Sequence, residues 1–252
     1  MTAPSEVRSR RAELEHALEG VEGYFSSDEA WALYRATRDC SAAAPRAVEI
    51  GSYKGRSTIA IALALRDRGA GLVISIDPHA PTGKASYVVE HGTADTFDEY
   101  LANVRRAGIE AFVRPIRATS ADARPQYDGA PIDLLFIDGS HDLDDVLLDI
   151  DTWLPLAADE AILAFNDPYA PGVNGALRAR LFAPGAGLRA PYHVNNTLFV
   201  TFRRGGRTSA ATALALRFYL RVERMRFRLL KLTLRGLCES LGIVYIRAEA
   251  AR

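Results

Sequence analysis

The chain of 252 residues has little lysine, little cysteine and no net charge. Lysine occurs only at Lys54, Lys84 and Lys231, so arginine carries nearly all of the positive charge. With 31 basic against 31 acidic residues there is none of the basic excess that nucleic-acid binding requires, and no nucleic-acid partner is expected. The two cysteines, Cys40 and Cys238, stand far apart and in no CxxC pattern, which suits free thiols in a reducing cytoplasm rather than a disulfide framework. No apolar run reaches transmembrane length, and the start, MTAPSEVRSRRAELEH, is too charged for a signal peptide. A soluble, cytoplasmic protein is expected. No internal repeat is visible. Apolar residues are plentiful: at 48% hydrophobic, the chain can bury the core of one large α/β domain, with or without an appendage.

Apolar runs of strand length alternate with helical ones. RAVEI (46–50), GLVISID (71–77), FVRPIRA (112–118), PIDLLFID (131–138) and EAILAFND (160–167) read as strands, most of them buried. Between them, helices are expected over 57–69, 96–106 and 143–157. Two helix starts are visible as capping boxes, Ser26 with Glu29 before AWALYRATRD and Thr96 with Glu99 at the start of 96–106. NTLFVTFRR (196–204) alternates and reads as an antiparallel edge strand. Trp31, Tyr34 and Trp153 lie on helices at core-facing spacing. Strands alternating with helices imply a parallel sheet covered on both faces.

The segment VEIGSYKGRST (48–58) lies in the turn between the first sheet strand and its helix, where such sheets bind ligands. Gly51 and Gly55 allow positive φ and a close approach to the backbone. Ser57 opens a helix whose free N–H groups favour an anion. The next strand ends at Asp77, placed to accept from ribose hydroxyls. The spacing E-x-G-x-x-x-G-x-S is not GxGxxG, so a dinucleotide pyrophosphate is a poor fit. Glu49 suits an ammonium, and Ser57 with the helix N-terminus suits a carboxylate. Together these features fit S-adenosylmethionine.

VEIGSYKGRST resembles motif I of the class I S-adenosylmethionine-dependent methyltransferases, and SIDPHA resembles their second motif. ATSADA (118–123) is similar to the loop after the third strand, and PIDLLFIDGSHDLDDVLLDIDTWLPL followed by ILAFND is similar to the fourth and fifth strand units. The resemblance runs from about residue 20 to 204 and is nearest to metal-dependent O-methyltransferases of the catechol and antibiotic-sugar types. It implies a Rossmann-like α/β fold: a mostly parallel seven-stranded sheet, helices on both faces and an antiparallel edge strand. Residues 1–45 would form an N-terminal helical cap, 46–204 the cofactor-binding catalytic domain and 205–252 a C-terminal helical extension. The implied cofactor contacts are Glu49, Gly51, Ser52, Tyr53, Gly55, Ser57, Asp77, Ser120, Asp122 and Asp138.

Asp138 ends the fourth strand, and Asn166 and Asp167 end the fifth. Oxygen ligands converging at adjacent strand ends describe a Mg²⁺ site, and the resemblance places metal ligands at these three positions. His141, three residues past Asp138, stands where the catechol type carries its lysine base; the aspartate base of the antibiotic-sugar type is replaced here by Ser140. Imidazole can take a hydroxyl proton as oxygen attacks a methyl group, so His141 is the expected base. His79 and Lys84 are expected to cover the cofactor or substrate, and His193 to line the acceptor pocket. His91 is a weaker candidate for any role. The implied acceptor is a small molecule, a sugar or glycoside. The stretch 209–241, apolar and rich in arginine, reads as a helix or helical pair that mediates homo-oligomerisation, and its amphipathic basic face also suits anionic lipid or a lipid-linked acceptor.

Overall fold

Burial on both faces explains why the central strands are continuous apolar runs. In the computed structural model, which describes residues 4–80, 95–182, 186–222 and 225, β1 (Arg46–Ile50), β2 (Leu72–Ile76), β3 (Val113–Ile116), β4 (Ile132–Ile137) and β5 (Ala157–Asn166) are all parallel. They stand in the order β3-β2-β1-β4-β5, and the sheet is completed by β7 (Thr197–Phe202) and then β6 (Leu188–Val194). Strand β7 is antiparallel to both neighbours. The order reverses between β1 and β4, which puts the ends of those two strands at the ligand crevice typical of such sheets.

The antiparallel strand expected over 196–204 is present, but it lies one position inside the sheet. The edge belongs to β6, in the stretch RAPYHV, where Pro191 lacks an N–H and is tolerated only at an edge. Its pairing with β7 slips between Arg189 and Tyr192, and Ala190 takes a positive φ of 48°. That irregularity hides the strand's period from the sequence.

Helices α1 (Pro4–Ala17), α2 (Ser27–Asp39), α3 (Arg56–Arg68) and α4 (Phe97–Arg106) cover one face. Leu14, Leu18, Leu33, Ile59, Ile61 and Val104 share one core with the sheet there. The short α5 (Ser120–Ala123), α6 (Leu143–Trp153) and α7 (Pro171–Arg180) cover the other face, around Val146, Trp153, Val173 and Leu177. A last helix occupies 210–222, and its Leu216 and Leu220 belong to this second core. The appended segments are therefore packed into the same cores as the sheet. The remainder of the expected 209–241 helix, with Cys238, lies outside the described residues.

Local capping follows the sequence at α2. The Ser26 side chain accepts from Glu29 N, and the Glu29 carboxylate takes Ser26 N, as the box requires. The second expected box does not form. Thr96 makes no side-chain cap; its hydroxyl is engaged by His79 Nδ1 at 3.0 Å, and Asp95 Oδ1 accepts Phe97 N instead. Helix α6 stops at Trp153 rather than 157 because Pro155 turns the chain into a 3₁₀ segment, from which β5 starts early at Ala157. Tyr34 and Trp153 are buried as expected, with Trp31 half-buried and stacked on Tyr34 at 5.0 Å. Among the described residues no helix is long and apolar enough to cross a membrane.

Candidate active site

The turn after β1 is built around a close backbone crossing. Gly51 has φ 84°, and a Cβ there would overlap the Asp138 carbonyl and Gly139 Cα at the end of β4. The glycine is thus required by its protein neighbour, before any ligand is considered. Gly55, at φ 95°, is the residue before α3, and it brings no side-chain cap. The first N–H groups of α3 have no intrahelical partner and point to the carboxyl ends of the strands, where a carboxylate would be welcome. Ser52 Oγ is buried at the same turn with no hydrogen-bond partner among the described residues. Both observations fit an amino-acid-bearing cofactor.

Asp77, at the end of β2, organises that turn. Its Oδ2 accepts from Ser52 N and Tyr53 N, both at 2.8 Å, and its Oδ1 accepts from His79 N at 2.6 Å. Three N–H groups thus hold one carboxylate in place, leaving its remaining lone pairs for ribose hydroxyls. Tyr53 and His79 both adopt positive φ, 46° and 52°, to make these bonds. His79 is buried against Phe97 and Tyr100. Lys84 and His91 lie outside the described residues.

Glu49 is completely buried; its Oε2 accepts from Thr58 Oγ1 at 2.5 Å and Ser75 Oγ at 2.8 Å, while its Oε1 has no hydrogen-bond partner among the described residues. Ser57, expected beside a ligand carboxylate, is itself buried, and its hydroxyl lies near enough to Glu49 to favour the ionised carboxylate. Burial pushes the Glu49 carboxyl up to about 7, opposed by the hydroxyls of Ser57, Thr58 and Ser75. A carboxyl with a folded pKa above its unfolded value binds its proton more tightly in the native state. Its contribution to stability is therefore full at low pH and is lost as pH rises from about 4.5 to about 7. Glu49→Gln should flatten that decline in denaturant titrations at pH 5 and pH 8. An equally steep decline in the mutant would mean that Glu49 does not carry it.

On the far side of the site, Ser120 Oγ accepts from Trp153 Nε1 at 2.9 Å, and Asp122 accepts from the Thr119 hydroxyl at 2.8 Å. Thr119 caps α5. Both expected adenine neighbours thus lie at the end of β3, on the same edge of the sheet as Asp77. Nearer the centre, Tyr24 is half-exposed and stacked on Tyr53, with ring centroids 6.4 Å apart. Sequence reading gave no role to Tyr24, since a lone aromatic between glycine and phenylalanine carries no periodic signal.

The reaction centre joins β4 to β5. Asp138 Oδ1 accepts from Asn166 Nδ2 at 2.8 Å, and His141 Nε2 lies 3.3 Å from Asp167 Oδ2. Burial, then the neighbouring Asp167 charge, pushes the Asp138 carboxyl well above the usual range. Asp167 holds φ at 47° and buries Oδ1 without a hydrogen-bond partner among the described residues. Two close carboxylates and one orphaned oxygen fit a hard divalent cation. Among the described residues no three His, Cys, Asp or Glu side chains group as metal ligands, and the third position expected to supply one is the Asn166 amide. Its oxygen now faces Thr197, at 3.0 Å from Oγ1, and its nitrogen faces Asp138. His193 is not part of this centre. It is exposed on β6, against the Tyr219 ring at 4.8 Å, so the expectation that it lines an acceptor pocket does not fit its place at the sheet edge.

Residues 48–168 match the family model of a methyltransferase domain. No curated protein matches the sequence. Several solved structures share the fold at low identity. Cofactor-bound Rv0187 from MTB is 18% identical, with 81% of this chain and 92% of that one covered and a TM-score of 0.57. The O-methyltransferase TomG of Streptomyces achromogenes, involved in tomaymycin synthesis and solved with SAM, is 17% identical over 81% and 92%, at 0.54. An O-methyltransferase of Bacillus cereus in complex with SAH is 16% identical over 81% and 93%, at 0.53.

Proposed function

We propose that the chain is a class I S-adenosylmethionine-dependent methyltransferase, a reading supported by the methyltransferase-domain match over residues 48–168, and that it methylates a hydroxyl oxygen of a sugar, glycoside or similar polyol, with Mg²⁺ at the reaction centre. The observation that carries this reading is the meeting of two half-sites at the ends of β1 and β4. The Asp77-organised turn lies on one side, and Asp138, His141, Asn166 and Asp167 lie on the other. S-adenosylmethionine supplies the methyl group, and Mg²⁺ held by Asp138, Asp167 and the Asn166 oxygen would acidify the acceptor hydroxyl.

The residues of the chain divide the remaining work. Asp77 holds the ribose and fixes the turn, while Ser52 and the start of α3 receive the amino-acid end of the cofactor. Asp167 Oδ2, beside His141 Nε2, favours the tautomer with the proton on Nε2 and leaves the lone pair on Nδ1. Imidazole of that tautomer would take the acceptor's proton as the acceptor oxygen is methylated. The resulting imidazolium is stabilised by the carboxylate behind it. Asp167 would then serve two partners, histidine through Oδ2 and a cation through its other oxygen. The Tyr24–Tyr53 stack offers a flat apolar surface beside this chemistry, suited to one face of a sugar ring. The direct test is incubation with isotopically labelled S-adenosylmethionine and a panel of glycosides, phenols and polyketides, read as product mass. Label on a phenol alone would replace the acceptor class, and label on nothing, with no cofactor bound in calorimetry, would leave a non-catalytic scaffold.

The helix at 210–222 supports a second part of the reading, self-association in a cytoplasmic setting consistent with the free, buried Cys40 thiol. Its inner face is anchored by Leu216 and Leu220, while Leu214 is 70% and Phe218 is 67% exposed one turn apart. Such a stripe is more apolar surface than a solvated helix needs. Leu214→Arg with Phe218→Arg should halve the mass seen by light scattering without lowering the melting temperature. An unchanged mass, whether monomeric or not, removes this face from assembly, and loss of liposome binding in the variant would assign it to a membrane surface.

A further inference from the structure

The reaction centre is connected to a residue 109 positions earlier in the chain than Asp138, at the start of α2. Glu29 is 3% exposed, and its role in the capping box uses only part of its carboxylate. Oε2 accepts from Ser26, both from N at 3.0 Å and from Oγ at 2.6 Å. Oε1 reaches across to the β6–β7 turn, where it accepts from Asn196 N at 3.0 Å and lies 3.1 Å from Thr197 Oγ1. Both contacts lead onward. Asn196 O accepts from Asp167 N at 2.8 Å, and Thr197 Oγ1 bonds to Asn166 Oδ1 at 3.0 Å.

Thr197 has one hydroxyl proton and two acceptors for it. When the proton goes to Asn166 Oδ1, the Asn166 nitrogen is directed to Asp138, as the 2.8 Å contact records. When it goes to Glu29, the hydroxyl oxygen becomes an acceptor for the Asn166 nitrogen, and the amide turns its oxygen to Asp138. Two oxygens can face each other there only with a positive charge or a proton between them. The hydroxyl thus supports either orientation of Asn166 without leaving a buried group unpaired, which a valine of the same shape could not do.

We propose that Glu29 and Thr197 are positioning residues for the reaction centre: through the Thr197 hydroxyl they set which end of the Asn166 amide faces Asp138, and through Asn196 they hold Asp167 in its left-handed backbone conformation. The inference rests on the reading of Asn166 and Asp167 as reaction-centre residues. It assigns the start of α2 a part in positioning the reaction centre beyond its capping role.

The test uses the full chain and needs no acceptor. The Asn166 side-chain amide resonance is assigned by its loss in Asn166→Asp, then followed in Thr197→Val and Thr197→Ser, alongside titration with Mn²⁺ alone and with S-adenosylhomocysteine. In Thr197→Val the Asn166 resonance should move and Mn²⁺ affinity should fall roughly 10–100-fold, as for loss of a ligand-orienting partner. S-adenosylhomocysteine affinity should stay at the wild-type value, and Thr197→Ser should restore both signals. An Asn166 resonance that is unmoved in Thr197→Val overturns the proposal. Should that variant not fold, Glu29→Gln applies the same criterion from the other end. If the wild type binds no Mn²⁺ while the resonance still moves in Thr197→Val and returns in Thr197→Ser, the positioning role stands and the Mg²⁺ element of the proposed function falls.

Discussion

Replacing His141 by alanine should lower kcat roughly 10²–10⁴-fold, with S-adenosylhomocysteine binding left near the wild-type value. A sugar hydroxyl is a poor nucleophile until its proton leaves, and on the proposed reading the imidazole beside Asp167 receives it. Its Nε2 contact with the carboxylate, at 3.3 Å, orients the ring. The cofactor turn lies across the site and loses nothing in this variant, which is why binding and turnover should separate. Chelation should produce the same separation, and added Mg²⁺ should reverse it. Asp138→Ala should lose Mn²⁺ binding and turnover together. Full activity after chelation would make the Asp138 cluster structural. Full activity of His141→Ala, with chelation still inhibitory, would move the base elsewhere; His193, out on the sheet edge against Tyr219, is badly placed to serve.

Asp77→Ala should be the most damaging change on the cofactor side, for two separable reasons. The carboxylate accepts three backbone N–H groups, of Ser52, Tyr53 and His79, and each one left buried and unpaired costs about 1–3 kcal/mol. The melting temperature of the ligand-free protein should therefore fall. The ribose donors left unpaired should also weaken S-adenosylhomocysteine binding by about 1–3 kcal/mol. That loss would be seen as a smaller ligand-induced rise in melting temperature. Asp77→Asn keeps one acceptor oxygen and should lie between the two. A lower melting temperature with unchanged affinity would make Asp77 a structural support for the turn alone.

Much of this arrangement was legible in the chain. Runs such as VEI and DLLFI announce strands buried on both faces, and the Ser26–Glu29 spacing locates the start of α2. The two glycines and three strand-end acids locate the crevice. What the sequence conceals is direction and competition. Glu49 and Asp77 both read as acids near the turn, yet Glu49 accepts from the hydroxyls of Thr58 and Ser75, whereas Asp77 accepts from backbone N–H groups of the turn itself. Thr96 looks as good a cap as Ser26, but His79 claims its hydroxyl. The edge strand β6 is masked by Pro191 and a slip in register. The link from Glu29 to Asn166 spans more than a hundred residues and passes through one threonine at the start of β7, where no local pattern can mark it.

The crossing of Gly51 over Asp138 has a consequence for how such a protein can change its substrate. The cofactor turn and the Asp138 strand end meet there backbone against backbone, with no room even for a methyl group. Neither can shift without dragging the other, so the distance from methyl donor to acceptor oxygen is inherited from the sheet and not negotiated by loops. Variation in what is methylated must then come from parts hung around this fixed pair, such as the Tyr24 segment and the β6–β7 turn. A laboratory effort to redirect the acceptor would do well to randomise those two segments and to leave the Gly51–Asp138 contact untouched.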